Sequence, residues 1–184
     1  MMPLMPGSAA PDGGFEVPLE MLQACHRRVE RQCSTLQRLA AHVAAHGVDA
    51  DASSAAAAVL RYFDTAARDH HADEEEDLFP ALMESMAGSD PVCIREMAQH
   101  LSAEHRQLEA AWRGLRPRLQ AIAAGQAQAA LPADAVQAFS TLYATHIAFE
   151  ERELLPMAAR LLDDDALATL GRAMRHRRGI TVID

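Results

Sequence analysis

Apolar residues recur along this chain three and four residues apart, the spacing of one helix face, in four long stretches. Leu19, Leu22, Val29, Cys33 and Leu36 share the first stripe, with His26 set inside it. Phe63, Ala67 and Leu78 share the second, interrupted by His70 and Glu74. Ala98, Leu101, Leu108 and Trp112 share the third, interrupted by His105. The fourth carries Phe139, Leu142 and Leu154, interrupted by His146 and Glu150. Each apolar face is thus broken by metal-ligating residue types.

Start and stop residues bound these stretches. The first helix is predicted from Pro18 to Gly47, and the second from about Ser53 to Ala87, ahead of Gly88. The third has Asp90 as cap and Pro91 as first residue and runs to about Ala124; the fourth runs from about Pro132 to Leu162. The acids at 163–165 cap a short fifth helix, roughly 165–177. Helices of about 30 residues are roughly 45 Å long, and short connections make consecutive ones antiparallel neighbours. The expected fold class is therefore all-α: an antiparallel up-down-up-down four-helix bundle with a short extra C-terminal helix. Its organisation is a flexible lead-in at 1–17, the bundle at 18–162, and a short helix and tail at 163–184. Pro80, Pro117 and Pro156 fall inside predicted helices, and each is expected to kink or break its own.

Composition agrees with this reading. The 184 residues suffice for one domain with a real core, 49% are hydrophobic and only 4% aromatic, so alanine and leucine carry the apolar faces. A net charge of −9 argues against a nucleic-acid partner. The basic run RAMRHRRG at 172–179 fits cations at a helix C-terminus. Cys25, Cys33 and Cys93 form neither an even framework nor a CxxC pair, which points to a reducing compartment. No apolar run is long enough to span a membrane, and the Pro- and Gly-broken N-terminus lacks the basic start of a signal peptide. The expected location is cytoplasmic.

The interruptions form a repeat. HHADEEEDLFPAL (70–82) and HIAFEERELLPMA (146–158) both read His-x-x-x-Glu-Glu-x-x-Leu-(Phe/Leu)-Pro. They match at His70/His146, Glu74/Glu150, Glu75/Glu151, Leu78/Leu154 and Pro80/Pro156. HRRVE at 26–30 and HRQLE at 105–109 also resemble each other, so the chain reads as two helical hairpins, each offering His and then His-x-x-x-Glu. A lone histidine on an apolar stripe is ordinarily a satisfied core residue, and an acid run is ordinarily a solvated face. Here Asp73, Glu75 and Glu76 project away from the stripe and are expected in solvent. Jointly, however, four imidazoles and two carboxylates at one depth favour a bound dication, because buried carboxylates cost several kcal/mol each unless paired or metal-bound. Six N/O donors exceed one tetrahedral zinc. They suit two octahedral ions bridged by the two carboxylates, iron first, with manganese or zinc as substitutes. The alternative di-iron template, Glu-x-x-His, is absent, since none of the nine histidines has an acid three residues before it.

The order His, His-x-x-x-Glu, His, His-x-x-x-Glu over residues 18–162 resembles the hemerythrin-like (HHE cation-binding) family. The resemblance implies a four-helix bundle around two iron ions joined by an oxide or hydroxide bridge. The metal ligands it implies are His26, His70, Glu74, His105, His146 and Glu150, with Glu74 and Glu150 bridging. It further implies a protein that binds or senses O2 or a related small ligand. A second possibility is a redox enzyme turning over peroxide, O2 or nitric oxide, and a third a structural metal in a partner-binding bundle. The oxygen-carrying members have two histidines four residues apart on the third helix, whereas this chain has Leu101 where the second would stand. His100 is five residues from His105 and so lies on another face. Glu30 and Glu109, four residues after a predicted ligand, are candidate substitutes or, alternatively, surface charges.

Remaining features carry less. His42 and His46 read as a surface pair, and His71, whose counterpart is Ile147, reads as a non-ligand. Asp77 and Glu153 are either acceptors for ligand imidazoles or solvated. Tyr143 reads as core packing one turn before His146.

Overall fold

A computed structural model describes residues 14–85 and 92–180, and all regular structure among them is helical. Helix α1 spans Pro18–His46, with proline at its first position and Gly47 beyond its end. Gly47 has φ of 79°, a left-handed conformation that glycine adopts without steric cost. Helix α2 comprises Ala50–Asp64, Ala66–Ala72, a π-helical segment Asp73–Leu78, and Phe79–Ser85. Helix α3 spans Val92–Ala123. Helix α4 comprises Ala133–Phe149, a second π-helical segment Glu150–Leu154, and Leu155–Leu161. Helix α5 spans Asp164–Arg177. The predicted lead-in up to residue 13, the end of α2 at Ala87, the Asp90–Pro91 cap and the tail from 181 lie outside the described residues.

The boundaries differ from expectation where side chains intervene. Helix α2 starts at Ala50 rather than Ser53 because the Asp49 carboxylate accepts from the Ala52 N–H at 2.8 Å. It is interrupted at Thr65, where the backbone leaves helical angles and the Thr65 N–H turns to the Tyr62 carbonyl. The preceding residue, Asp64, is held across the interface by Trp112 Nε1 at 2.9 Å and by Arg116. Asp163 caps α5 through the Ala166 N–H.

The three internal prolines behave in two ways. Pro117 does not break α3. It is exposed, as is Arg113, whose carbonyl has no helical donor at position 117. Pro80 and Pro156 each follow a π-helical segment by two residues. In those segments the Phe79 and Leu155 N–H groups reach five residues back, to the carbonyls of Glu74 and Glu150. The helix is widened just before a residue that cannot donate, and it continues rather than stopping.

Helix α1 packs on α2 and α4, and α3 packs on the same two. Cross-helix partners run in opposite numerical order: Ser53–Ile122, Asp64–Trp112 and Glu75–His105 join α2 to α3, while His26–Glu151 and Gln37–Gln137 join α1 to α4. The apolar interior forms two clusters. One holds Val29, Leu36, Phe63, Ala67, Leu108, Trp112, Phe139 and Tyr143. The other holds Leu22, Leu78, Leu82, Leu101, Leu154 and, from α5, Leu170 and Met174. On every one of the four long helices the interrupting His or Glu falls between these clusters. No helix among the described residues is long and apolar enough to cross a membrane.

Helix α5 closes on the acid run. Asp73 is fully buried, contrary to its expected place in solvent. Arg178 Nη2 donates to its Oδ2 at 2.6 Å and Arg177 Nη1 to its Oδ1 at 2.6 Å. Arg177 also donates to Asp77 at 2.8 Å and to Glu76 at 2.7 Å. The basic cluster at 172–179 therefore does more than complement its own helix end: from across the fold it pairs with three of the five acids at 73–77, Asp73, Glu76 and Asp77. Burial pushes the Asp73 carboxyl up and the two guanidinia pull it back, so its ionised form rests on them. Removing one partner of a buried pair is costly because the other charge stays buried. Arg178→Ala is expected to lower unfolding free energy by about 3 kcal/mol, read from the urea midpoint, and the loss should shrink in an Asp73→Asn background.

Candidate metal centre

His26 on α1, His105 on α3, and the pairs His70/Glu74 and His146/Glu150 at the entry to the two π-helical segments turn inward at one level. His26, His70, Glu74, His105, His146 and Glu150 are all buried. They form two groups of four: His26, His70, Glu74 and Glu150, and Glu74, His105, His146 and Glu150. Within each group the donor atoms lie within 4.8 Å of one another, and both groups contain both carboxylates.

The carboxylates divide their oxygens between the groups. Glu150 places Oε2 at 3.0 Å from His26 Nε2 and Oε1 at 3.0 Å from His146 Nε2. Glu74 places Oε1 at 3.4 Å from His70 Nε2 and Oε2 at 3.2 Å from His105 Nε2. His105 Nε2 and His146 Nε2 are 3.2 Å apart. These separations match the roughly 3.0 Å between neighbouring donors of an octahedral ion with bonds of about 2.1 Å.

Three imidazoles are oriented from behind. His26 Nδ1 donates to Glu151 at 3.0 Å, His105 Nδ1 to Glu75 at 2.7 Å and His146 Nδ1 to Glu104 at 2.8 Å. Each such bond fixes the ring and turns Nε2 to the centre, the arrangement that raises the basicity of a metal-binding histidine. Glu75 and Glu151 are the second acids of the two motif copies, and each serves a histidine of the opposite hairpin. Glu75 is exposed, as expected, and its carboxylate also spans to His105. The doubled Glu-Glu in both copies was its signal in the sequence. Glu104 carried no such signal, because its partner His146 is a contact between helices that the periodicity of α3 alone does not encode. His70 Nδ1 is buried without a hydrogen-bond partner.

Electrostatics divide the carboxylates. Burial and the neighbouring Glu150 charge drive Glu74 well above the usual range. Burial also penalises Glu150, but the imidazoles of His146 and His26 outweigh it and hold the carboxyl well below that range. At His26 and His146 burial opposes the charged ring, yet Glu150 overrides it and raises both. His70 and His71 are pushed well down by burial and by neighbouring histidines. Without a metal, protons must hold these atoms together. All four oxygens of Glu74 and Glu150, and His26 Nε2, are buried with no hydrogen-bond partner. With Nδ1–H given to Glu151, a neutral His26 aims the Nε2 lone pair at an anionic oxygen. A cation between them removes that repulsion, and the donor set of imidazole and carboxylate suits iron, manganese or zinc.

The other sequence candidates lie outside these groups. Glu30 and Glu109 are exposed, and His100, largely exposed, faces Glu104 at 3.3 Å. His42 pairs with Asp49 at 2.8 Å, Asp77 with Arg177, and Glu153 with Arg152. Tyr143 is buried in the apolar core, as expected of a packing residue. His71 is different: it is buried, stacks on His105 with ring centroids 4.0 Å apart, and forms a third donor group with His105 and His146. A cavity of about 560 Å³ is lined by Phe63 and His71 of α2, Leu108 and Trp112 of α3 and Tyr143 of α4.

Comparison with known proteins agrees with this geometry. The model of the hemerythrin HHE cation binding domain matches residues 17–158. An uncharacterized protein of Haemophilus influenzae (strain ATCC 51907 / DSM 11121 / KW20 / Rd) is 34% identical over 163 residues, covering 89% of this chain and 91% of that protein. A buried His/Glu cluster able to hold a cation, on an all-helical frame whose repeat spans the matched residues, places this chain in the hemerythrin HHE cation-binding domain family.

Proposed function

We propose that this protein is an antiparallel up-down-up-down four-helix bundle holding two iron ions that bind or sense O2 or a related small ligand, in the cytoplasm. The observation that carries the reading is the double use of Glu74 and Glu150, each with one oxygen toward either histidine pair. His26 and His70 would hold one ion, His105 and His146 the other, and the two carboxylates would bridge them. The opposite numerical order of cross-helix partners supports the bundle topology. Bound there, an iron pair supplies redox-active centres with coordination positions left for a small ligand. The chain supplies the rest. Glu151, Glu75 and Glu104 keep three rings in one tautomer, and the apolar clusters above and below exclude bulk water from the ligand level. Manganese or zinc would fit the same donors.

Elemental analysis is expected to give two irons per chain, and the reduced protein exposed to O2 should develop a lasting absorption band. One zinc per chain, or no metal, would overturn the reading; rapid loss of the band with peroxide consumption would point to turnover instead. Glu74→Ala and Glu150→Ala should abolish the metal-dependent gain in melting stability, about 2.7 kcal/mol at a hundredfold excess over Kd.

The pH dependence follows from the raised His26 and His146. A protonated imidazole cannot bind metal, so protons compete earlier than at the ordinary value of 6.5. Glu74, raised as well, adds to the competition on the same side. Metal retention in equilibrium dialysis should therefore be full near about pH 8 and fall as pH drops, with the midpoint above that of an unperturbed histidine site. Glu104→Ala should weaken metal retention by about 10–100-fold while leaving the helical circular dichroism unchanged.

A further inference from the structure

The cavity of about 560 Å³ lined by α2, α3 and α4 has the size of a small-molecule site, roughly 300–1,000 Å³. Its lining is graded. Phe63, His71, Leu108, Trp112 and Tyr143 are buried, whereas Arg68 and Arg113 are exposed. The aromatic part is continuous, with the Phe63 ring 4.9 Å from Trp112 and 5.7 Å from Tyr143 between centroids. The charges do not cancel. Arg116 is held by Asp64 at 2.9 Å, but Arg68 and Arg113 form no ion pair among the described residues. They share the lining with one further acid, Glu109, so a surplus of positive charge remains. His71 is the polar group of the buried part. In the second motif copy its place is taken by Ile147, so the repeat itself does not require an imidazole there. Its Nε2 is sealed without a hydrogen-bond partner, which leaves Nδ1 as the nitrogen that an occupant can reach.

We propose that this cavity binds a small aromatic carboxylate that carries a hydroxyl group at the end away from its acid. A flat ring packs against Phe63 and Trp112, where offset and edge-on contacts favour an aromatic over an aliphatic occupant. The carboxylate meets Arg68 and Arg113, whose planar forks match its two oxygens. A cationic occupant would oppose the same surplus charge. The hydroxyl both donates and accepts, so it suits His71 Nδ1 in either tautomer of the ring. The site is separate from the metal centre, and its occupancy does not depend on which ion is bound there. It is nonetheless close to it, because the His71 ring stacks on His105 with centroids 4.0 Å apart. An occupant therefore lies one imidazole away from the inward His and Glu side chains.

Trp112 is the single tryptophan of the chain and lines the cavity, so its fluorescence reports occupancy without any substitution. The metal-loaded protein is titrated with para-hydroxybenzoate, with para-hydroxybenzyl alcohol, which lacks the charge, and with benzoate, which lacks the hydroxyl. Isothermal calorimetry counts the bound ligand. Saturable binding of one para-hydroxybenzoate per chain is expected, with each counterpart bound about tenfold or more weakly. Replacing both guanidinia, Arg68→Gln with Arg113→Gln, should remove the advantage of the acid over the alcohol. His71→Phe should remove its advantage over benzoate while leaving the preference for the acid over the alcohol intact. No saturable binding at millimolar ligand, equal affinities across the three compounds, or an acid preference that survives loss of both arginines would overturn the inference. Iron content is measured on the same samples: a chain that binds para-hydroxybenzoate but holds no iron would overturn the two-ion reading and leave this site standing.

Discussion

The structure depends on six ionisable side chains being desolvated at one level, where the upper and lower apolar clusters meet. Neither cluster is continuous through the site: Leu22 and Val29 on α1, and Leu101 and Leu108 on α3, belong to different clusters, with His26 and His105 between them. An apolar layer at this level would pack more cheaply. The polar layer leaves both carboxylates and His26 Nε2 without hydrogen-bond partners, a demand that a cation held by this donor set would meet. Burial and the Glu150 charge push the Glu74 carboxyl up, while the imidazoles of His146 and His26 hold Glu150 down against its own burial, so the two carboxylates sit in unlike electrostatic surroundings.

Two π-helical segments make that layer reachable. Each begins at or just before a central glutamate and ends two residues before a proline. The extra residue in the turn changes the direction of the side chains that follow without ending the helix. That is why Glu75 and Glu151 reach across to His105 and His26 while Glu74 and Glu150 face the centre. Pro80 and Pro156, predicted to break their helices, sit where the wider turn has already changed the hydrogen-bond register.

The interrupted stripes were legible in the sequence because three- and four-residue spacing survives through the α-helical parts of α2 and α4. The repeat then singled out His70 with Glu74 and His146 with Glu150, and the structure brings these residues together with His26 and His105. What periodicity could not show were contacts fixed by distant partners. Asp73 reads as solvated in the sequence because its counter-charges, Arg177 and Arg178, lie about a hundred residues on, at the C-terminal end of α5. Glu104 looked like an ordinary surface acid of α3, since its reason for being there is on α4. His71 has isoleucine as its counterpart in the second copy, which says that the position is inward but not what it does there. Thr65 interrupts α2 through its own backbone and the outward pull on Asp64, a tertiary effect with no signature in the apolar spacing.

The clasp between α5 and the acid run has a consequence for the order in which the molecule is made. The ribosome delivers Asp73 about a hundred residues before the guanidinia that neutralise it, and Glu74 is its covalent neighbour. Asp73 alone of that stretch has both of its counter-charges on Arg177 and Arg178, while Glu74 and Glu75 face histidines made earlier or soon after. The counter-charges of Asp73 are thus supplied after every one of the six inward His and Glu side chains has been synthesised.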